Sequence, residues 1–223
     1  MFCAIIVAAG SARRAGFDKL AAPLGGLPVL AHSVRAFAEA GAQSIIVVSP
    51  EPRWLALKPW EHAQGVPTLR VEGGARRQDS VRAGLQALPQ DARWVAVHDA
   101  ARPLISAAGI RKCLQAAQEH GAAACAHPVV DTLKRVDAGA CTLPERVSRE
   151  SLWGMETPQI FRADLLLEAY EQVAAAQVEV TDEVSALELI GISTHLVQVG
   201  ANMKITLPGD LELAELLMMH RIS

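Results

Sequence analysis

Apolar positions along the chain follow two periods. Runs dominated by aliphatic and β-branched residues, "CAIIVAA" (3–9), "SIIVVSP" (44–50), "TLRVEGG" (68–74), "WVAVHDA" (94–100), "AAACAHPVV" (122–130) and "STHLVQV" (193–199), read as strands. Between them "PVLAHSVRAFAEAG" sets Leu30, Val34, Phe37 and Ala40 on one face of a helix, and "SAAGIRKCLQAAQEHG" does the same for Ile110, Cys113, Leu114 and Ala117. Both stop at glycine. A third helix is predicted from Asp79, with Asp79 or Ser80 as its cap, and a fourth over 181–190, where Thr181 precedes two acidic residues and Gly191 closes the end. Alternating strands and helices, with strands apolar throughout, predict one α/β domain on a mostly parallel sheet flanked by helices. Ligands of such sheets bind at the carboxyl ends of the strands.

One stretch breaks the alternation. Residues 129–153, "VVDTLKRVDAGACTLPERVSRESLW", hold two polar-alternating runs around a turn signal at Asp137-Ala138-Gly139, which predicts a protruding β-hairpin arm. A lone ribbon is marginal in water, so the arm is expected to pack on something, a second subunit being one choice.

Composition narrows the function. At 223 residues and 51% hydrophobic content the chain can build a full core. A net charge of -3, from 21 basic and 24 acidic residues, argues against nucleic acid as a partner, so an anionic ligand must meet local cations. No apolar run approaches a membrane span, and no signal peptide precedes the first strand. Cys3, Cys113, Cys125 and Cys141 form no C-x-x-C pair, as expected of a protein in a reducing cytoplasm. The seven histidines lack metal-ligand spacing, so a zinc site is not expected, and His98 reads as structural.

The local cations follow the first predicted strand. "AAGSARRAGFDKL" (8–20) joins a small-residue turn to Arg13, Arg14 and Lys19. Backbone N–H groups at such a turn accept phosphate, although neither G-x-x-x-x-G-K-[ST] nor G-x-G-x-x-G is present. Cations on a glycine turn suit a reaction in which charge builds on a phosphoryl group. Three clusters join the same edge. "GGARRQDS" (73–80) offers Gly73 and Ser80 to a base or phosphate, and "VHDAARP" (97–103) sets Asp99 past a buried strand as a hard-oxygen ligand for magnesium. "NMKIT" (202–206) puts Lys204 in a strand-like apolar run, either snorkelling to the surface or facing an anion.

With these residues in view the chain resembles the 2-C-methyl-D-erythritol 4-phosphate cytidylyltransferase family over nearly its whole length. The resemblance rests on "AAGSARR…K", "GGARRQDSV", "VHDAARP", "PVVDTLKR", "VSRESLW", "TPQIF", "TDEVSALE" and "NMKIT", in family order and spacing. It implies a Rossmann-like nucleotidyltransferase that joins CTP to methylerythritol phosphate with magnesium and releases pyrophosphate. By resemblance, Ala8, Ala9 and Gly10 lie against the nucleotide, Arg14 and Lys19 hold the triphosphate, and Gly73 and Ser80 flank the cytosine. Asp99 holds the metal, Lys204 supports the α-phosphate, and Thr132, Arg149, Thr157, Thr181 and Arg102 are candidates for the sugar phosphate. The family's arm crosses to a partner subunit, which makes a homodimer with Thr132 and Arg149 acting in trans.

The chemistry agrees. A phosphate monoester is largely ionised near neutral pH, its second pKa being about 6, so the acceptor needs no general base. Ala12 stands where the family has glycine, and Ala15 and Asp18 also depart from its pattern beside Lys19. The rival readings are a ribitol 5-phosphate cytidylyltransferase, a nucleotide-sugar pyrophosphorylase and a CTP sensor without turnover.

Overall fold

The computed structural model describes residues 1–10, 18–57, 65–137 and 140–221. Its first half runs β1 (Phe2–Val7), β2 (Pro23–Leu24), β3 (Leu27–Pro28), α1 (Val29–Glu39), β4 (Ser44–Val48), α2 (Glu51–Leu57), β5 (Thr68–Val71), α3 (Arg77–Gln86) and β6 (Trp94–Asp99). The second half runs α4 (Ala107–His120), β7 (Ala122–Pro128), β8 (Lys134–Asp137), β9 (Ala140–Arg146), β10 (Trp153–Arg162), α5 (Ala163–Ala176), α6 (Glu183–Glu188), β11 (His195–Val197) and α7 (Asp210–Arg221).

Strands that are apolar throughout have a partner layer on each face. Ala4 and Ile6 of β1, Ile45 and Val47 of β4, and Ala96 of β6 enter one core with Leu30, Val34 and Phe37 of α1 and Ile110 and Cys113 of α4. Their neighbours Ile5, Ile46, Val48, Val95 and Val97 enter a second core, with Val81 and Leu85 of α3 and Leu166 and Val173 of α5. The period of two along each strand therefore divides one sheet between two helical layers. Gly121 ends α4 in the left-handed conformation at φ 86°, as its position after the last apolar turn predicts.

The seven-stranded sheet has the order β11-β7-β10-β6-β1-β4-β5, with β2–β3 and β8–β9 as separate two-stranded ladders. β1 pairs in parallel with both β4 and β6, so the chain leaves the centre of the sheet in both directions and opens a crevice at the carboxyl ends of β1 and β6. Val7 lies opposite Asp99 there. β10 is antiparallel to β6 and β7, with an irregularity between Met155 and Gln159. Its direction matters: the start of β10, not its end, reaches the carboxyl edge of its neighbours.

Four sequence expectations change. The third helix begins at Arg77, not Asp79; Arg76 is its N-cap, and Asp79 in the first turn accepts the Arg76 backbone N–H at 3.1 Å. "NMKIT" forms no strand, because side chains rather than a ladder anchor it. The hairpin arm is present as β8 and β9, but its turn residues Ala138 and Gly139 lie outside the described residues, and Trp153 already belongs to β10. The strand predicted at 193–199 narrows to His195–Val197. Among the described residues no helix is long and apolar enough to cross a membrane.

Candidate active site

A cleft of about 350 Å³ at the β6 edge is lined by Arg77, Asp99, Arg102, Glu156, Thr181 and Lys204, among others. Asp99 is its centre. The Arg77 Nε donates to one carboxylate oxygen at 3.1 Å, and the Lys204 ammonium donates to the other at 2.7 Å. Burial acts to raise the Asp99 pKa, but the two cations outweigh it and hold the carboxyl well below the usual range.

Arg77 is fixed from behind. Its Nη1 and Nη2 grip the two oxygens of Glu183 at 2.7 and 3.0 Å, and Glu183 is fully buried. The Tyr170 hydroxyl donates to the same carboxylate at 3.1 Å. Gln159 accepts the backbone N–H groups of Glu183 and Val184 at 3.1 Å and donates to Asp182, the N-cap of α6. Sequence reasoning missed Arg77, Gln159 and Glu183. Read locally they are ordinary charged or polar positions, and Glu183 lies 106 residues from Arg77.

The backbone of Asp99 is held as firmly. Its N–H donates to the Thr157 hydroxyl at 3.0 Å, and that hydroxyl sits 3.1 Å from His98 Nδ1. His98 Nε2 is 3.2 Å from the Arg102 carbonyl, which can only accept, so Nε2 carries the proton and Thr157 donates to Nδ1. Burial lowers the His98 pKa to about 4 and keeps the ring neutral. Thr157 thus has its proton committed to His98 while its oxygen accepts from Asp99, and it lines the cleft in which sequence reasoning expects the acceptor. Arg102 is likewise held: its Nη1 donates to the Asn202 carbonyl at 2.8 Å. Asn202, buried, donates to Glu156 and to the Thr157 carbonyl, both at 2.8 Å, and so anchors the segment that carries Lys204.

The residues expected on the nucleotide side meet at the end of β1. Ala8 donates its N–H to Val48 at 2.8 Å. Gly73 packs so closely on Ala9 that an added Cβ would lie 2.2 Å from that of Ala9. Only glycine lets the two loops touch. Ser80 is buried and spends its hydroxyl inside its own loop, accepting from Gly74 at 3.1 Å and donating to the Arg76 carbonyl at 3.2 Å. Arg53 of α2, also missed, is buried; its Nε donates to both Asp18 oxygens at 3.1 and 3.0 Å, and its guanidinium reaches the carbonyls of Ala8 and Gly10. It ties together the two ends of the cationic turn. Arg13 and Arg14, with Ala12 and Ala15, lie outside the described residues. Lys19 donates to the Ile205 carbonyl, next to Lys204.

The acceptor candidates divide. Thr157 and Thr181 line the Asp99 cleft, whereas Thr132 and Arg149 line a second hollow of about 420 Å³ at the root of the arm, where Arg149 donates to the Val130 carbonyl. A further hollow of about 480 Å³, between α3 and α5, holds none of the predicted site residues.

Two loops in contact at a crevice of a parallel sheet, with one carboxylate set between cations, define a nucleotidyltransferase of the Rossmann-like α/β type. A model of the 2-C-methyl-D-erythritol 4-phosphate cytidylyltransferase family matches residues 2–220, and the chain belongs to that family. Relatives of that name from Synechococcus sp. (strain WH7803) and Nitrosomonas eutropha are 40% and 42% identical to it, over 97% and 99% of this chain and 99% and 97% of theirs. The enzyme of that name from Thermus thermophilus superposes with a TM-score of 0.79 at 33% identity, over 98% of this chain and all of the other. The 4-diphosphocytidyl-2C-methyl-D-erythritol synthase of Anaerococcus prevotii gives 0.85 at 26% identity, over 98% of both chains.

Proposed function

We propose that the protein joins CTP to 2-C-methyl-D-erythritol 4-phosphate by attack of the acceptor phosphate on the α-phosphorus, with Asp99, Lys204 and Lys19 around the reacting group. The observation that carries this reading is the Asp99 cleft: a carboxylate between Arg77 and Lys204 in a chain that matches the family over residues 2–220, with Lys19 donating to the carbonyl of Ile205 next to Lys204.

A magnesium ion fits the donor set. Among the described residues no three His, Cys, Asp or Glu side chains gather into a metal cage. Magnesium associated with a nucleotide does not need one, because one carboxylate, phosphate oxygens and water complete its shell. Asp99 would hold it, and the bound ion would neutralise charge on the triphosphate.

The chain's own groups do the rest. The acceptor phosphate is already ionised, so no side chain removes a proton, and neutral His98 keeps to its structural place. Charge gathers on the α-phosphate oxygens and on departing pyrophosphate, and the Lys19 and Lys204 ammonium groups, brought against it, stabilise that state more than the ground state. Arg14 would act on the triphosphate with Lys19, while Ala8, Ala9, Gly10 and Gly73 provide a surface that the nucleotide can approach closely. Thr181, at the cleft, would grasp the acceptor, and Arg102 would lend it charge. Thr132 and Arg149 line the other hollow, which supports the reading that they serve the site of a second copy in a homodimer. Among the described residues Cys3, Cys113 and Cys125 are free thiols, all buried, which suits a reducing cytoplasm.

Pyrophosphate release is to be measured with CTP and magnesium against methylerythritol phosphate and ribitol 5-phosphate in parallel. Release with the first acceptor alone is expected. Release with ribitol 5-phosphate alone would move the protein to another polyol, and CTP binding without release from either acceptor would make it a sensor.

A further inference from the structure

Each Asp99 oxygen already accepts from a charged donor, so an arriving cation meets two resident positive charges and gains most where one of them withdraws. The two donors differ in what holds them. Arg77 is held at Nη1 and Nη2 by a fully buried carboxylate that Tyr170 also contacts. Pulling it away would leave Glu183 charged, buried and without its cation, a costly state. Lys204 has no such hold: its side chain is 44% exposed, and its ammonium donates to Asp99 itself. A flexible ammonium at the mouth of a cleft can turn to another anion at little cost.

We propose that Lys204 and the metal exchange at Asp99 while Arg77 stays: the lysine guards the carboxylate in the free protein and is released towards the incoming phosphate as the cation takes its oxygen. Arg77 is then a positioning residue, which aims the other oxygen through Glu183. The proposal rests on the reading of Asp99 as the metal's carboxylate. It makes binding of the ion and arming of the lysine one event, so that nucleotide arriving without a divalent cation meets a lysine still tied to Asp99.

Affinity for Mn²⁺ alone, read by water-proton relaxation, tests the exchange without turnover. Lys204→Met is expected to tighten Mn²⁺ binding up to about fivefold, the upper end of what an exposed ion pair is worth. Arg77→Met/Glu183→Gln removes one charge of each sign, and Arg77→Lys keeps the charge should the pair fail to fold; neither is expected to tighten binding. A second readout follows the side chains in nitrogen-edited spectra: on adding Mg²⁺ and CTP the Lys204 ammonium signal shifts and the Arg77 Nε–H signal stays. Tightening by the Arg77 variants with Lys204→Met unchanged, or movement of the Arg77 signal alone, would overturn the proposal. Asp99→Asn separates the two levels: Mn²⁺ binding untouched by it would remove the metal reading itself.

Discussion

The Asp99 cleft and the arm root are both polar, yet they are built in opposite ways. In the cleft nearly every group has a partner from a distant part of the chain: Arg77 reaches Glu183, Thr157 holds Asp99, and Asn202 ties the Lys204 segment to β10. At the arm root Val130 is 75% exposed, Leu152 and Trp153 are also exposed, and Arg149 bonds a backbone carbonyl of its own arm. The first region is preorganised by its own fold. The second presents apolar side chains that its own chain does not cover, as a surface made for another body would.

The sharpest way to break this contrast is at Lys204. Lys204→Ala is expected to lower turnover about 100-fold, or ~2.7 kcal/mol, with a smaller loss in CTP affinity. Steady-state kinetics beside calorimetric CTP binding decide it, and equal losses in both would reduce the lysine to a simple binder.

Acid tests the cleft as a folded unit. The unfolded His98 has a pKa of 6.5 and the folded one about 4, so its contribution to stability is full above pH 6.5 and is lost as pH falls towards 4. The separation corresponds to at most ~3 kcal/mol. Asp99, also depressed, acts in a lower window: its share is full above 3.8 and is lost only below it. Urea denaturation at stepped pH should show the first loss in the wild type and much less of it in His98→Gln. A stability flat between pH 6.5 and 4 would mean that His98 is protonated in the fold.

The fold was legible in sequence wherever burial was periodic. The six strand runs, α1 and α4 declare themselves because apolar side chains recur at two or at three and four residues. α7 does not, because Leu213, Leu216 and Met219 are exposed while Ala214 is buried, which leaves no polar face to mark the period. α5 follows β10 with no loop, Arg162 serving as last residue of one and N-cap of the other, so no turn signal separates them. β10 itself is broken by Glu156, Thr157 and Gln159, polar residues buried for the sake of the site. Within the cleft, Asp99 and Lys204, which the folded chain pairs, could be picked from their motifs. Arg53, Arg77 and Glu183 could not, since each is explained only by a partner that the folded chain brings near.

The arm offers the milder tests. Arg149→Ala is expected to raise the acceptor KM about tenfold, close to 1.4 kcal/mol, and mixing it with Lys19→Ala protein should restore activity if sites are shared between chains. Absence of recovery with subunit exchange verified would confine the arm to its own chain. Smallest of all, Val130→Ser should change unfolding free energy by no more than ~0.5 kcal/mol, since the residue is already exposed, while weakening self-association in sedimentation. A large stability loss without any change in association would show that the arm packs within its own chain.

The reversed direction of β10 has a consequence for how such a protein can change. Because the strand begins where its parallel neighbours end, whatever is spliced in ahead of it emerges at the carboxyl edge of the sheet without disturbing the ladders that seat Gln159 and Phe161. Residues 131–152 can therefore be exchanged between relatives as a module, and if Thr132 and Arg149 meet the acceptor, the swap should carry acceptor preference with it while the nucleotide half of the protein continues as before.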